Sequence, residues 1–110
     1  MDKKLAITAF GALSQESRLD VFRRLVQAGK EGMLSGEIAT ALDQKQNTAS
    51  VNLSILLRAG LIRNARDGRN VRYFADFDGV AGMLGYLLED CCGGKADQCR
   101  PLINQLNLGD

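Results

Sequence analysis

Every cysteine of this 110-residue chain lies within nine positions: Cys91, Cys92 and Cys99, in the stretch EDCCGGKADQCR. As thiolates they could bind a soft, thiophilic ion. As a redox group, Cys99 could close on Cys91 or Cys92. As small apolar side chains they could extend a buried helix stripe; that accounts for Cys91, in step with Val80, Leu84 and Leu87, but not for all three. A small cysteine enzyme working on phosphate or arsenate needs Cys-x5-Arg. Six residues after Cys91 and Cys92 stand Asp97 and Gln98, and Arg100 is out of register. The chain also has no histidine, and so lacks the commonest general base and the commonest nitrogen ligand. Catalysis is not expected. The odd number of cysteines argues against a structural disulfide framework.

The rest of the chain must explain what such a cluster serves. Its length fits one core, and 45% hydrophobic with 25% charged residues is an ordinary globular balance. No apolar run approaches the ~18–20 residues that span a bilayer, and MDKKLAITAF has no long apolar core of an export signal. A cytoplasmic protein with reduced thiols and no membrane partner is expected. The net charge of +1 is unevenly spread. Residues 1–43 balance six basic against six acidic groups, residues 44–76 carry +4, and residues 77–110 carry −3. A basic middle of this kind suits a polyanion.

The hydrophobic periods give the elements. Residues 4–12 form a short amphipathic stretch with Leu5, Ala9 and Ala12 on one side. Ser14 is expected to cap a helix whose face is Leu19, Phe22, Leu25 and Val26, closed by Gly29. Ser35 leads into a short helix bearing Ile38, Ala39 and Leu42. After QKQN, Asn47 caps another, with Ala49, Leu53, Leu56 and Leu57 inward and Gly60 at its end. Two short helices joined by such a turn make a helix-turn-helix. The period then changes: LIRNARDGRNVRYFAD reads as two extended runs around Asp67-Gly68, a hairpin signal. A last helix spans Asp78 to Cys92, dotted by Gly79, Gly82 and Gly85, whose expected use is close approach to another helix. Gly93-Gly94 stops it.

The helix after the turn exposes Thr48, Ser50, Asn52 and Ser54, small polar side chains suited to base edges and phosphates. Lys45, Gln46 and Asn47 stand at its start, where a phosphate is favoured. Arg63, Arg66, Arg69 and Arg72 lie on the hairpin behind it. The fold class expected is mainly α with a β-hairpin wing, a winged helix-turn-helix. Residues 1–92 would form the DNA-binding and dimerisation domain and 93–110 a cysteine-bearing tail.

SQESRLDVFRRLV, LSGEIATAL, QNTASVNLSILLRAGLI and RDGRNVRYF resemble, in order and spacing, the ArsR/SmtB family of bacterial metal-responsive repressors. The resemblance covers roughly residues 5–90. It is carried by Gln46, Thr48, Ser50, Leu53, Leu56, Ala59 to Ile62 and Gly68-Arg69. The chain departs from the family pattern at Val51, Asn52 and Ser54, where a basic residue, a histidine and a lysine are frequent. The resemblance implies a homodimer built on the first and last long helices, a role the glycine-dotted helix fits. It also implies a pseudo-palindromic operator in double-stranded DNA, with half-sites about 34 Å apart or a multiple of it.

Members of that family differ in where the inducer binds. The stretch MLSGEIA lacks the cysteines that one class carries ahead of the reading helix. The zinc class needs histidines that are absent here, and Glu89 with Asp90 would be a poor substitute. CCGGKADQC resembles the C-terminal cysteine site of arsenite-responsive members. Trivalent arsenic, with trivalent antimony as its congener, takes three sulfurs in a pyramid, whereas structural zinc wants four ligands. The expectation is a repressor released from DNA when As(III) binds Cys91, Cys92 and Cys99, with no constitutive cofactor. A thiol-redox sensor, a sensor of another soft metal, and a winged helix used for protein binding remain the alternatives.

Overall fold

A computed structural model describes residues 1–88 and Gln105. Five helices and a three-stranded sheet follow in the order α1 (Lys3–Leu13), α2 (Glu16–Ala28), β1 (Met33–Leu34), α3 (Ser35–Ala41), α4 (Gln46–Arg58), β2 (Ile62–Asp67), β3 (Asn70–Ala75) and α5 (Phe77–Leu87), with a 3-10 turn at Gly29–Glu31. The sheet order is β1-β3-β2, antiparallel throughout. This is the mainly helical winged helix-turn-helix expected from the periods, with one strand more. β1 is only two residues long and exists because Met33 and Leu34 pair with Tyr73 and Arg72. Among the described residues no helix is long and apolar enough to cross a membrane. The expected boundary at residue 92 lies outside the described residues.

The core is centred on Val21, Leu25, Ile38, Leu53, Leu56 and Leu61, each fully buried. Three helices turn differently from the sequence expectation. α1 buries Ala6, Ala9 and Ala12 and exposes Leu5, Ile7 and Phe10. Its alanine side lets the backbone approach α2 and α4 closely, which a leucine would prevent. In α2 the buried face is Val21, Phe22 and Leu25, while Leu19 and Val26 are exposed. In α5 only Met83 is buried, Val80 packs partly against the core, and Leu84 and Leu87 face outward.

The caps also shift, by one residue at α2 and α3 and by two at α4. Ser14 closes α1, its hydroxyl donating to the Gly11 carbonyl at 2.8 Å. Gln15 opens α2 instead, its Oε1 accepting from the Arg18 amide at 3.0 Å. Leu34 precedes α3, and Glu37 reaches back to accept from the Leu34 amide at 2.8 Å. α4 begins after Lys45, so Asn47 lies inside its first turn rather than capping it. At the other end α4 closes in a Schellman arrangement: Leu61 N–H donates to Leu56 and Gly60 N–H to Leu57, with Gly60 at φ +76°.

Asp76 caps the start of α5, its Oδ1 accepting from the amides of Asp78 and Gly79 at 3.1 and 3.2 Å. Its first turn rests on the α4–β2 corner so closely that a Cβ on Gly79 would overlap the Gly60 carbonyl. The close approach foreseen for the glycines is therefore made within the chain at Gly79, against backbone. α5 is capped at Leu88; the expected continuation to Cys92 falls outside the described residues.

Candidate nucleic-acid interface

α3, the turn after it and α4 form the reading unit. Asp43 adopts φ +52° in the turn, a conformation aspartate tolerates better than most residues. The Gln44 amide donates to the Ala39 carbonyl at 2.9 Å. The Gln44 side chain then fastens the turn to α2, its Nε2 donating to the Ser17 carbonyl at 3.3 Å.

Asn52 belongs to the same network. Its Nδ2 donates to Ser17 Oγ at 3.1 Å and to Gln44 Oε1 at 3.4 Å, and the residue is only 4% exposed. Asn52 therefore does not face the groove, contrary to the sequence expectation. Ala49, Asn52, Leu53 and Leu56 are the inward stripe of α4, and the amide ties the reading helix to α2 and to the turn. Asn52→Ala should lower the unfolding free energy by about 1–3 kcal/mol, because Ser17 and Gln44 keep polar atoms that lose their partner. Urea denaturation checks this; an unchanged midpoint would mean the network contributes nothing.

The exposed stripe of α4 is Asn47, Thr48, Ser50, Val51, Ser54 and Arg58. Thr48, Ser50 and Ser54 lie as expected on the open side, with Lys45 and Asn47 exposed at its N-terminal end. Gln46 is exposed but engaged, Nε2 donating to Ser35 Oγ at 3.2 Å and Ser50 Oγ at 3.3 Å. Arg58 donates to Ser54 Oγ at 3.5 Å. Val51 and Arg58 were missing from the sequence-derived set. Both follow from the helical period once Asn47, Ser50 and Ser54 are placed outward.

The wing turns at Gly68-Arg69, one residue later than Asp67-Gly68, because Asp67 pairs with Asn70. Gly68 is at φ +65° and Arg69 is not in the positive region, the pattern of a type II′ hairpin turn. The pleat divides the three arginines that lie on the strands. Arg63 and Arg72 share one face with Phe74, and Arg66 lies on the other with Tyr73 and Val71. Arg63 lies over the Phe74 ring, 4.4 Å from its centroid. Arg72 donates to Asp67 Oδ2 at 2.9 Å and to the Glu31 carbonyl at 3.1 Å, with Glu37 at 3.8 Å. In this arrangement Arg72 ties the wing to the 3-10 turn at Glu31, with Glu37 of α3 alongside, so it is not a free phosphate ligand. Arg69 at the tip and Arg66 beside it remain exposed with no acidic partner among the described residues.

Among the described residues no group of three His, Cys, Asp or Glu side chains could hold a metal ion. Cys91, Cys92 and Cys99 lie outside them.

Comparison with known proteins agrees with this geometry. Residues 13–64 match a family model described as a helix-turn-helix domain. The uncharacterized HTH-type transcriptional regulator YbzH of Bacillus subtilis (strain 168) is 33% identical over 93 residues, spanning 74% of this chain and 93% of the relative. An ArsR-like transcriptional regulator from Rhodococcus sp. RHA1 superposes with a TM-score of 0.70 at 25% identity, covering 94% of this chain and 93% of that one. The homodimeric winged helix-turn-helix DNA-binding domain from Mycobacterium bovis has the same fold, with a TM-score of 0.64 at 24% identity over 79% of this chain and 81% of that one. The open polar helix face and basic wing tip fit what the 33% identical relative is, and the chain belongs to the HTH-type transcriptional regulators, with a winged-helix fold shared with the ArsR-like regulator from Rhodococcus sp. RHA1.

Proposed function

We propose that the chain is an arsenite-responsive repressor. It binds a pseudo-palindromic operator as a homodimer and leaves it when As(III), or Sb(III) by the same chemistry, is held by Cys91, Cys92 and Cys99. The observation that carries the inducer is the cluster itself: three thiols within nine positions, four residues beyond the end of α5. Three soft donors complete the pyramidal shell of a trivalent metalloid and leave zinc one ligand short.

Dimerisation is supported by the apolar surface of α1 and α5. Leu5 and Ile7 on α1 and Leu84 and Leu87 on α5 are between 41% and 63% exposed, and the two helices contact one another. Apolar surface concentrated in this way marks an interaction face. The Mycobacterium bovis domain is itself a homodimer. Two copies related by a two-fold axis would present Thr48, Ser50 and Ser54 to successive major grooves, with Arg69 reaching the flanking backbone or minor groove.

The test is fluorescence anisotropy of the reduced protein on its own promoter fragment, titrated with arsenite, zinc and a mild oxidant in parallel. Stoichiometric arsenite should release the DNA. Cys91→Ser should bind DNA as the wild type does and lose arsenite release. Normal release of that variant by arsenite would exclude the three-thiol site. Release by oxidant without release by arsenite would make the cysteines a redox switch.

A further inference from the structure

Val51 stands in the middle of the outer face of α4, among Thr48, Ser50 and Ser54, and is 58% exposed. It has no place in the hydrophobic cluster of the core. The exposed apolar residues of α1 and α5 belong to other elements. Helix formation does not explain it either, since a β-branched side chain in mid-helix is a weaker helix former than alanine or leucine. The neighbouring side chains carry hydroxyl groups, while the amide of Asn52 is turned inward onto Ser17 and Gln44. Valine offers neither donor nor acceptor, so it cannot pair with the polar edge of any base. The apolar feature of the major-groove floor is the C5-methyl of thymine.

We propose that Val51 is a specificity-determining residue that packs against a thymine methyl group in each operator half-site. The proposal rests on α4 being the helix that enters the groove. It makes the centre of each half-site a thymine read by contact, with Thr48, Ser50 and Ser54 supplying the surrounding polar contacts.

Removing that methyl and nothing else tests it. The full-length reduced protein would be used to select binding sites from random-sequence duplex DNA. The enriched site would then be compared with versions carrying deoxyuridine in place of single thymines. Wild-type affinity should fall about fourfold for each contacted methyl, and about fifteenfold when the two symmetry-related thymines are both exchanged. Val51→Ala, which touches no core residue and favours the helix, lacks the two γ-methyls and should show a clearly smaller uracil penalty than the wild type. A wild-type protein indifferent to every exchange overturns the proposal, as does a Val51→Ala variant that keeps the full uracil penalty. If no sequence is enriched at all, the groove-reading role of α4 fails, and the valine contact fails with it.

Discussion

Gly79→Ala should lower the thermal midpoint of the protein by about 12–24 °C, which corresponds to roughly 3 kcal/mol for a domain of this size. Elsewhere in a helix the same change is favourable by up to ~1 kcal/mol, because glycine is the poorer helix former. Here the added carbon meets the Gly60 carbonyl, and backbone cannot step aside as a flexible side chain can. Accommodation requires α5 to lift off the α4–β2 corner, breaking the Asp76–Leu61 backbone bond of 2.9 Å or uncovering Met83. Gly36→Ala is the matched control: its Cβ would meet only Gln46 Oε1 at an ordinary 3.9 Å, and its midpoint should hold or rise. A Gly79→Ala midpoint within about 2 °C of wild type would show that the corner is far softer than its geometry implies.

Ser54→Glu should separate folding from DNA binding. Ser54 is exposed in α4 and lies one turn ahead of Arg58, which already donates to its hydroxyl at 3.5 Å. A glutamate four residues before an arginine is the favourable helix order and stabilises by about 0.2–0.5 kcal/mol. The same carboxylate would face the phosphates and base edges of the groove. Juxtaposed like charges cost several kcal/mol, so operator affinity should fall at least about 100-fold, twice over in a two-fold complex. Anisotropy at one fixed salt concentration, with a thermal melt beside it, reads both effects. Unchanged DNA affinity with an unchanged melt would mean that this face of α4 does not enter the groove.

Much of the architecture was legible because helix and hairpin periods are local. The helix-turn-helix, the wing and the order of elements all follow from spacing and turn residues. Asn52 shows where residue type misleads. Its position in the 49, 52, 53, 56 series marks it as inward, but an amide reads as a groove contact unless its partners are known. Those partners, Ser17 and Gln44, are 35 and 8 residues away. Arg72 is the same lesson in charge: its engagement with Glu31 spans 41 residues, which a count of arginines cannot detect. β1 is invisible for a related reason, since two residues acquire strand geometry only from Tyr73 and Arg72 across the sheet. Period alone puts Leu5, Leu84 and Leu87 inside, and their exposure depends on which side of α1 and α5 meets the rest of the domain. The cysteine cluster is a reading of composition and spacing alone, since Cys91, Cys92 and Cys99 lie outside the described residues.

The bracing of the wing by Arg72 also bears on how such proteins can be recombined. An engineer wishing to change groove-flank preference would be tempted to exchange residues 62–75 as a cassette. That cassette would carry Arg72 with its Asp67 partner but leave Glu37 and the Glu31 carbonyl behind in the donor, so the graft would keep its internal ion pair and lose the tie that holds the hairpin to the rest of the domain. The portable unit is larger: it begins before β1 and runs through β3. Only Arg66 and Arg69, which make no such attachment, can be exchanged one residue at a time.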